Sequence, residues 1–165
     1  MTDLGRTETG SKEQLWIALS EIHAGMLMIA GANEHPQPMA PQLDKQEKSI
    51  WFFTNRNSDL NQSIQAKALA RFLIVGEDHD YYASIVGSIS EESSAAKIDE
   101  FWNPVVAAWF AEGREDSDVV LLKLNPTEAA VWASTGNPLK FAWEIAKANL
   151  GDDQPDVGIH TFIKF

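Results

Sequence analysis

The sequence has no cysteine and few arginines, and both absences limit what the protein can do. Without cysteine, the chain cannot form disulfides, use a thiolate nucleophile or hold a metal through sulfur. Its only arginines are Arg6, Arg56, Arg71 and Arg114, so a bound phosphate would meet few guanidinium groups. The formal net charge is −11, which argues against nucleic acid as a partner, because phosphate neutralisation needs clustered cations.

No long apolar run near the N-terminus and no secretory signal are visible in the sequence. The longest apolar run near the N-terminus is far shorter than the roughly 20 residues that a membrane-spanning helix needs. The opening stretch MTDLGRTETGSKEQ contains no apolar signal region. We therefore expect no membrane partner and a cytoplasmic location.

Short apolar segments separated by turn residues make up most of the chain. Residues 1–10 are polar and are predicted to be flexible, ahead of a domain over residues 11–165. A helix is predicted with Ser11 as N-cap, Gln14 completing a capping box and Gly25 as its stop. About six strands follow at spacings of roughly 8–12 residues, with helices in the connections. This order predicts a mainly β fold with added helices, a barrel and not a parallel sheet with crossover helices.

Proline and polar residues divide the predicted strands and helices. Pro36, Pro38 and Pro41 confine the second strand to a sheet edge or to bulges. Residues 117–134 predict two strands joined by a turn at residues 125–128. Two helices are also predicted: EESSAAKIDEFWNPVVAAWFAEG, broken at Asn-Pro, and PLKFAWEIAKANLG near the C-terminus.

The six tryptophans divide into two groups by their surroundings. The four that lie on apolar faces are predicted to be core residues: Trp16, Trp51, Trp132 and Trp143. Trp102 and Trp109 are seven residues apart in a helical stretch and are predicted to share one face. Two interpretations stay open for Trp102, packing against the barrel and contact with a ligand ring.

The stretch WFFTNRNSDL, residues 51–60, contains the main candidate site. Its aromatic residues favour a strand, and residues 54–59, which we call the polar turn, favour a turn into a short helix with Ser58 as N-cap. Such a junction can simply end a core strand. It can also offer hydroxyl and backbone N–H groups to an anion.

These residues resemble the FMN-binding split barrels related to pyridoxamine-phosphate oxidase. FFTNRNS at residues 52–58 follows an edge strand that contains Pro38 and Met39. DEFWNPVVAAWF, residues 99–110, and LLKLNPTEAAVW, residues 121–132, resemble the general-stress-protein branch of that superfamily. The resemblance implies a homodimer of six-stranded split barrels, with FMN at the subunit interface serving an oxidoreductase of unidentified small-molecule substrate.

Position by position, the resemblance also implies a set of flavin contacts. They run from the ring edge, past the ribityl chain, to the phosphate, and include a strand sent across the dimer interface. The implied contacts are Gln37, Pro38, Met39, Ala40, Phe53, Thr54, Asn55, Arg56, Ser58, Leu60, Tyr82, Ser84 and Trp102. Of these, Ser58 would face the phosphate and Trp102 would lie near the ring.

Two of these positions depart from the family pattern. The family often has arginine where this chain has Gln37, and lysine where it has Leu60. Arg56 or Lys67 could replace the missing cation. On this basis the sequence predicts that Leu60→Lys tightens FMN binding and that Ser58→Ala loosens it.

Other activities have less support in the sequence. No arginine follows Arg114, and the C-terminal stretch offers only His160 and Lys164, so true pyridoxamine-phosphate oxidase activity is not expected. His79 stands between two aspartates, but adjacent turn residues point in different directions, so no metal site is predicted. The alternative function is a non-enzymatic carrier of flavin or of another planar ligand on the same barrel.

Overall fold

Two helices begin the chain, and strands dominate the rest of the computed structural model. The structure describes residues 2, 4–66, 68–92, 94–134, 142–143, 145–147 and 158–165. The strands are β1 (Gly25–Ile29), β2 (Gln37–Met39), β3 (Gln42–Asp44), β4 (Ser49–Asn55), β5 (Leu69–Val75), β6 (Tyr81–Glu92), β7 (Val119–Ser134) and β8 (Gly158–Lys164). The helices are α1 (Leu4–Thr9), α2 (Ser11–Glu21), α3 (Asp59–Gln62), α4 (Ala95–Phe101) and α5 (Pro104–Ala107), with a 3-10 turn at Gly113–Glu115.

In the part of the chain that the structure describes, eight strands form one sheet. Their order is β2, β1, β5, β6, β7, β4, β3, and β8 pairs with β7. The pairs β1 with β2, β3 with β4, β4 with β7 and β7 with β8 are antiparallel. The predicted class, mainly β with added helices, is confirmed, and the strands number eight where the sequence predicted about six. None of the described helices is long and apolar enough to cross a membrane.

The chain divides into two compact units that share the long strands. The first unit contains Met1–Ile22, Leu73–Ile85 and Glu128–Phe165, and the second contains His23–Phe72 and Val86–Thr127. In the second unit, Phe52 of β4 and Phe72 of β5 are fully buried, with ring centroids 4.9 Å apart. Most of the predicted flavin contacts belong to this second unit.

The N-terminal residues of the first unit form a helix where the sequence predicted flexible chain. Thr7 of α1 is fully buried, and its hydroxyl donates a 2.7 Å hydrogen bond to the side chain of Gln14 in α2. Gln14 therefore makes no capping box with Ser11; Gly10 is the N-cap, without a side-chain cap bond. Helix α2 ends at Glu21, before Gly25, which already belongs to β1. The predicted domain over residues 11–165 stays a prediction.

Prolines act in this sheet as the sequence predicted, at its edge. β2 contains Pro38 and stands at one end of the strand order, where a missing backbone N–H costs no ladder bond. The stretch that predicted one strand here forms two. β2 pairs with β1, whereas β3 pairs with β4, and the chain between them passes through Ala40 and Pro41.

β7 is one strand of 16 residues where the sequence predicted two strands and a turn. Gly87 of β6 explains how the chain continues through Asn125 and Pro126. A Cβ atom on Gly87 would lie 2.1 Å from the carbonyl oxygen of Asn125 and 2.9 Å from the Cα of Pro126. The hydroxyl of Thr127 also donates to the carbonyl of Val86, at 3.1 Å. The prediction of a turn was wrong because this close approach comes from another strand.

The helical stretch after β6 breaks where the sequence predicted, at Asn103 and Pro104. The side chain of Asn103 accepts hydrogen bonds from the backbone N–H groups of Val105 and Val106, both at 3.0 Å, and so caps α5. Of the predicted C-terminal helix, residues 142–143 and 145–147 are helical, and the remainder lies outside the described residues.

Two of the four tryptophans predicted to be core residues are buried. Trp16 is 8% exposed and Trp51 is 3% exposed. The prediction was wrong for Trp132, which is 44% exposed, and for Trp143, which is 68% exposed. An apolar sequence environment did not distinguish these tryptophans, because Trp132 lies on the outward face of β7.

Candidate functional site

The polar turn joins β4 to α3 through a set of local hydrogen bonds. The hydroxyls of Thr54 and Ser58 are 2.9 Å apart and share a hydrogen bond. The Ser58 hydroxyl oxygen also accepts from the backbone N–H of Asn61 at 3.2 Å, which confirms Ser58 as the N-cap of α3. The side chain of Asn55 accepts from the backbone N–H of Asn57 at 2.8 Å. These bonds fix the turn without help from a ligand.

The two hydroxyls of the turn are chemically suited to an anion. Thr54 and Ser58 have two hydroxyl protons between them, and their shared hydrogen bond uses one. Thr54 is buried and Ser58 is half-buried, so when Thr54 donates to Ser58, the Ser58 hydroxyl keeps a proton that it can give to a phosphate oxygen. The residues therefore fit an anionic group through hydrogen bonding, with little contribution from charge.

Arg56 is the described cation of the turn, and its side chain has one acidic partner, Glu91. Its Nε donates to the backbone carbonyl of Ser117 at 3.1 Å, and its Nη1 donates to Glu91 at 3.3 Å. Both side chains of this ion pair are solvent-exposed, so the pair contributes little to stability. Two of the five guanidinium N–H groups are used here, and the others remain for a ligand. Lys67, the other predicted substitute, lies outside the described residues.

Leu60 is buried beneath the turn, which changes one expectation. Its side chain is 2% exposed and belongs to the core. A lysine at this position would bury a charge or force the turn to open, and an unpaired buried charge is costly. We therefore expect Leu60→Lys to lower the free energy of unfolding. The sequence predicted only a gain in FMN affinity for this variant.

Phe53, just before the turn, lies against Trp102 at the end of α4. Their ring centroids are 5.8 Å apart and nearly perpendicular, at 83°. Trp102 also contacts Phe110, with centroids 6.0 Å apart. We call Phe53, Trp102 and Phe110 the aromatic slot. Both open interpretations of Trp102 therefore keep support, because the ring packs against its own chain while remaining half-buried.

A small apolar cluster supports the slot, and the sequence did not identify it. Val106, Phe110 and Val119 form this cluster, with Phe53, Ile98 and Trp102 packed against it. The spacing of Val106 and Phe110, four apart, was the available signal. Trp109 is 81% exposed, so the predicted shared face with Trp102 was wrong. The chain bends at Asn103 between them, and a helical spacing no longer applies.

The other predicted contacts lie elsewhere on the chain. Gln37, Pro38 and Met39 form β2, with Met39 buried, and Ala40 follows them exposed. In the first unit, Tyr82 is 42% exposed and its hydroxyl donates to the carbonyl of His79. Ser84 is buried on the same strand, β6. For all of these residues the flavin contact stays a prediction.

Two cavities within the described residues lie away from the predicted contacts. One, of about 590 Å³, is lined by the loop after β1 and the residues after α3. The other, of about 330 Å³, has an acidic lining that includes Glu21, Glu77 and Asp80. Neither is lined by a predicted flavin contact, and only the smaller includes an aromatic side chain, Tyr81. The aromatic slot is therefore the better match to a planar ring.

Metal binding has no structural support in the described part of the chain. No group of three or more histidine, aspartate or glutamate side chains there could hold a metal ion. His79 lies in the turn before β6 with a positive φ of 56°, as expected for a hairpin residue. Burial alone would raise the pKa of the neighbouring Asp80, but hydrogen bonds from Thr2 lower it below its ordinary value.

Comparison with known proteins finds one family and several solved structures that are similar to this chain. The sequence pattern of the family described as pyridoxamine 5'-phosphate oxidase like matches residues 10–156. A solved structure from Jannaschia sp. CCS1, described as a candidate general stress protein 26, is 33% identical with a TM-score of 0.79. That match covers 95% of this chain and 99% of the other. Among curated proteins, no sequence matches this chain.

Two further solved structures extend the comparison. The general stress FMN/FAD binding protein from Xanthomonas citri is 33% identical, with a TM-score of 0.69, over 76% of this chain and 89% of that one. A pyridoxamine 5'-phosphate oxidase-related, FMN binding protein from Nostoc punctiforme is 13% identical, with a TM-score of 0.56, over 75% and 82% of the two chains. The second likeness is one of fold alone, and together these confirm the split-barrel fold.

Proposed function

This chain belongs to the pyridoxamine 5'-phosphate oxidase-like family, and from that premise we propose that it binds FMN. In this proposal the isoalloxazine ring lies against the aromatic slot and the phosphate lies at the polar turn. The protein uses the flavin as an oxidoreductase on an unidentified small molecule. The similar Xanthomonas citri protein, which is an FMN/FAD binding protein, supports the assignment of a flavin. A cytoplasmic location stays a prediction.

One observation carries this proposal, the adjacency of an aromatic surface and an anion-suited turn on consecutive residues. Phe53 contacts Trp102, and the next residue, Thr54, shares a hydrogen bond with Ser58. A flavin requires an apolar surface for its ring and hydrogen-bond donors for its phosphate. The two requirements are met within residues 53–58 and by the ring of Trp102, the residue that follows α4.

The protein's own residues position the flavin and control its surroundings. When bound, the flavin supplies the redox chemistry, accepting and donating electrons or hydride at its ring. Phe53 and Trp102 orient the ring and exclude water from the face that they cover. Thr54 and Ser58 hold the phosphate through hydrogen bonds, with Arg56 as the nearest described cation. None of these residues serves as an acid or base in the proposal.

The phosphate contacts predict weaker FMN binding than a site with a lysine would give. A hydrogen bond to a charged group is worth about 1.5–3 kcal/mol, so the hydroxyls of Thr54 and Ser58 can hold the phosphate. The missing cations at Gln37 and Leu60 remove favourable charge. Each loss of about 1.4 kcal/mol weakens affinity tenfold.

The missing cations favour a second candidate function, a flavin carrier without turnover. A carrier must release its ligand, and a phosphate site built mainly on hydroxyls suits release. The two functions differ in whether bound flavin is reduced and reoxidised. Mixing the FMN-loaded protein with NADH or NADPH and following the flavin absorbance distinguishes them. Bleaching faster than that of free FMN supports the oxidoreductase, and bleaching at the rate of free FMN supports the carrier.

We also propose that the protein is a homodimer, with β5 in the interface. Alternate residues of β5 are buried, and its other face exposes Leu69 (50%), Leu73 (37%) and Val75 (44%). The fourth exposed residue of this face is Arg71, and a face with three aliphatic side chains and one cation suits contact with another protein surface. Sedimentation equilibrium of Leu73→Glu should show a monomer. The control, Ile17→Glu on the exposed face of α2, should remain dimeric.

FMN titration with matched serine variants tests the flavin proposal. Ser58→Ala removes a hydroxyl of the turn, and we expect about tenfold weaker FMN binding. The control is Ser63→Ala, because the Ser63 hydroxyl donates to the backbone carbonyl of Asp59 at 2.8 Å and not to the hydroxyl of Thr54 or Ser58. Circular dichroism checks folding, since loss of an N-cap costs about 1 kcal/mol. A parent protein that does not quench FMN fluorescence, or equal affinities for both variants, would overturn the proposal.

A further inference from the structure

A partly buried ion pair joins α4 to the hairpin between β3 and β4. The Nζ of Lys97 lies 2.5 Å from a carboxylate oxygen of Asp44, across 53 positions in the sequence. The Lys97 side chain is 22% exposed and that of Asp44 is 6% exposed. We call these two residues the anchor pair. It is the least exposed of the ion pairs found among the described residues.

Both members of the anchor pair are held in place by further contacts. The other carboxylate oxygen of Asp44 accepts from the backbone N–H groups of Gln46 at 2.9 Å and Glu47 at 3.0 Å. These hydrogen bonds and the Lys97 ammonium keep the pKa of Asp44 below its ordinary value. Lys97 also contacts Glu100 at 2.9 Å. Asp44 is therefore held in place through both of its carboxylate oxygens.

Lys97 of the anchor pair also lies near two aromatic rings, that of Phe101 at the end of α4 and that of Trp51 in β4. The Lys97 ammonium is 5.4 Å from the ring centroid of Phe101 and 5.9 Å from that of Trp51. The rings of Phe101 and Trp51 are themselves 5.9 Å apart. Phe101 is the last residue of α4, and the next residue is Trp102, whose ring contacts Phe53. One short helix thus connects the anchor pair to the slot.

We propose that Asp44 and Lys97 are positioning residues that orient α4 and thereby hold the Trp102 ring against Phe53, on the surface offered to the flavin. This inference rests on the proposed FMN site for its functional meaning. Apolar packing by Phe101 attaches α4 to the sheet but is not directional. The ion pair adds direction, because a fixed carboxylate on the hairpin accepts from one point of the helix. Neither residue touches the proposed flavin itself.

The variants separate positioning from general stability. Lys97→Met removes the charge and keeps the length of the side chain, and Lys97→Arg restores the charge. Asp44→Asn keeps one side-chain oxygen for the two backbone N–H groups and loses the partner of Lys97, so it remains useful if Lys97→Met does not fold. The control is Arg114→Met, which breaks an exposed ion pair to Asp99 on the same helix, at 2.7 Å.

The first readout is the position of Trp102 without any ligand. Labelling with 5-fluorotryptophan gives one fluorine resonance for each of the six tryptophans, and Trp102→Phe assigns the resonance of Trp102. We expect this resonance to shift or broaden in Lys97→Met and Asp44→Asn. It should stay in place in Arg114→Met and return in Lys97→Arg. An unchanged resonance in both anchor variants, or an equal change in Arg114→Met, would overturn the inference.

The second readout is FMN affinity, measured by fluorescence titration of the same proteins. We expect about tenfold weaker binding for Lys97→Met and Asp44→Asn, and affinities within about twofold of the parent for the other two. If the parent does not bind FMN while the Trp102 resonance responds as expected, the FMN proposal fails and the positioning role stands. If FMN binds all proteins equally and the resonance moves, the role of Trp102 position in binding is overturned.

Discussion

Two of the groups of aromatic rings in the described residues differ in what supports them. In the aromatic slot, Phe53 and Trp102 rest on Phe110, which is 7% exposed and packs with Val106 and Val119. In the first unit, a group that we call the exposed stack consists of Trp132, His160 and Phe162. Trp132 and His160 are parallel, with centroids 4.8 Å apart and planes at 6°. Phe162, at 4.7 Å from His160, is 71% exposed.

The difference shows why the number of aromatic residues is a poor guide to a binding site. A ring supported by a core has one orientation and can present a preorganised surface to a ligand. A ring supported only by another exposed ring loses little when it moves. Lys97 of α4 adds to this contrast, because its ion pair with Asp44 orients the helix that Trp102 follows. We therefore expect changes in the two groups to have different consequences.

The largest expected difference is in stability, between Phe110→Ala and Phe162→Ala. Removing a buried phenylalanine costs about 3–5 kcal/mol, through lost burial and the cavity that remains. Because Phe162 is mostly exposed, its removal should cost less than about 1 kcal/mol. Urea unfolding at neutral pH, followed by circular dichroism, measures both. Similar losses for the two variants would contradict the distinction between a supported and an exposed group.

Flavin affinity should separate the two groups next. Trp102→Ala removes the half-buried ring of the slot, and we expect FMN binding to weaken by about tenfold or more, equivalent to about 1.4 kcal/mol. Trp132→Ala removes a ring of similar size from the exposed stack and should leave affinity unchanged. Equilibrium titration of FMN fluorescence measures both. Weaker FMN binding in Trp132→Ala would mean that the flavin ring contacts the exposed stack and not the aromatic slot.

Low pH should lower the stability of the protein through protonation of Asp44. The pKa of Asp44 lies below its ordinary value near 3.8, so the charged form is favoured in the folded protein. The stabilisation is therefore complete above that ordinary value and is lost as the pH falls through the lower, folded-state pKa. Urea midpoints between about pH 6 and pH 2.5 should fall more steeply for the parent than for Asp44→Asn. Parallel curves would show that Asp44 makes no such contribution.

The smallest expected effect concerns the stack itself. His160→Ala removes the ring between Trp132 and Phe162, and we expect a loss of less than about 1.5 kcal/mol, typical of an aromatic pair. Thr161→Ala, the next residue of β8, serves as the control. A loss as large as that of Phe110→Ala would mean that the stack supports the pairing of β7 with β8.

Local features of the site could be predicted from the sequence. Ser58 was identified as an N-cap because capping depends on a hydroxyl and on backbone groups three residues away. The break at Asn103 and Pro104 was also identified from neighbouring residues, since proline restricts the conformation of the residue before it. The strand that carries Phe53 was predicted from its aromatic residues and turn boundary.

Features that depend on distant residues could not be predicted in this way. Leu60 was placed beside the phosphate by analogy, and only the packed structure shows that it is buried. The contact between Trp102 and Phe53 depends on the orientation of α4, to which Lys97 and Asp44 contribute from distant positions. Periodicity describes the face of one element, and neither feature is contained in one element.

The hydrogen atom that Gly87 has in place of a side chain has a practical consequence for tracing relatives. Every other amino acid would put a carbon 2.1 Å from the carbonyl oxygen of Asn125. The first part of β7 is the portion that pairs with β4, the strand of Phe53 and Thr54. A homologue with a larger residue at this position must route its chain differently beside β4. A relative that also has glycine at this position can therefore follow the same path along β7, and its residues there can be compared with those of this chain one by one.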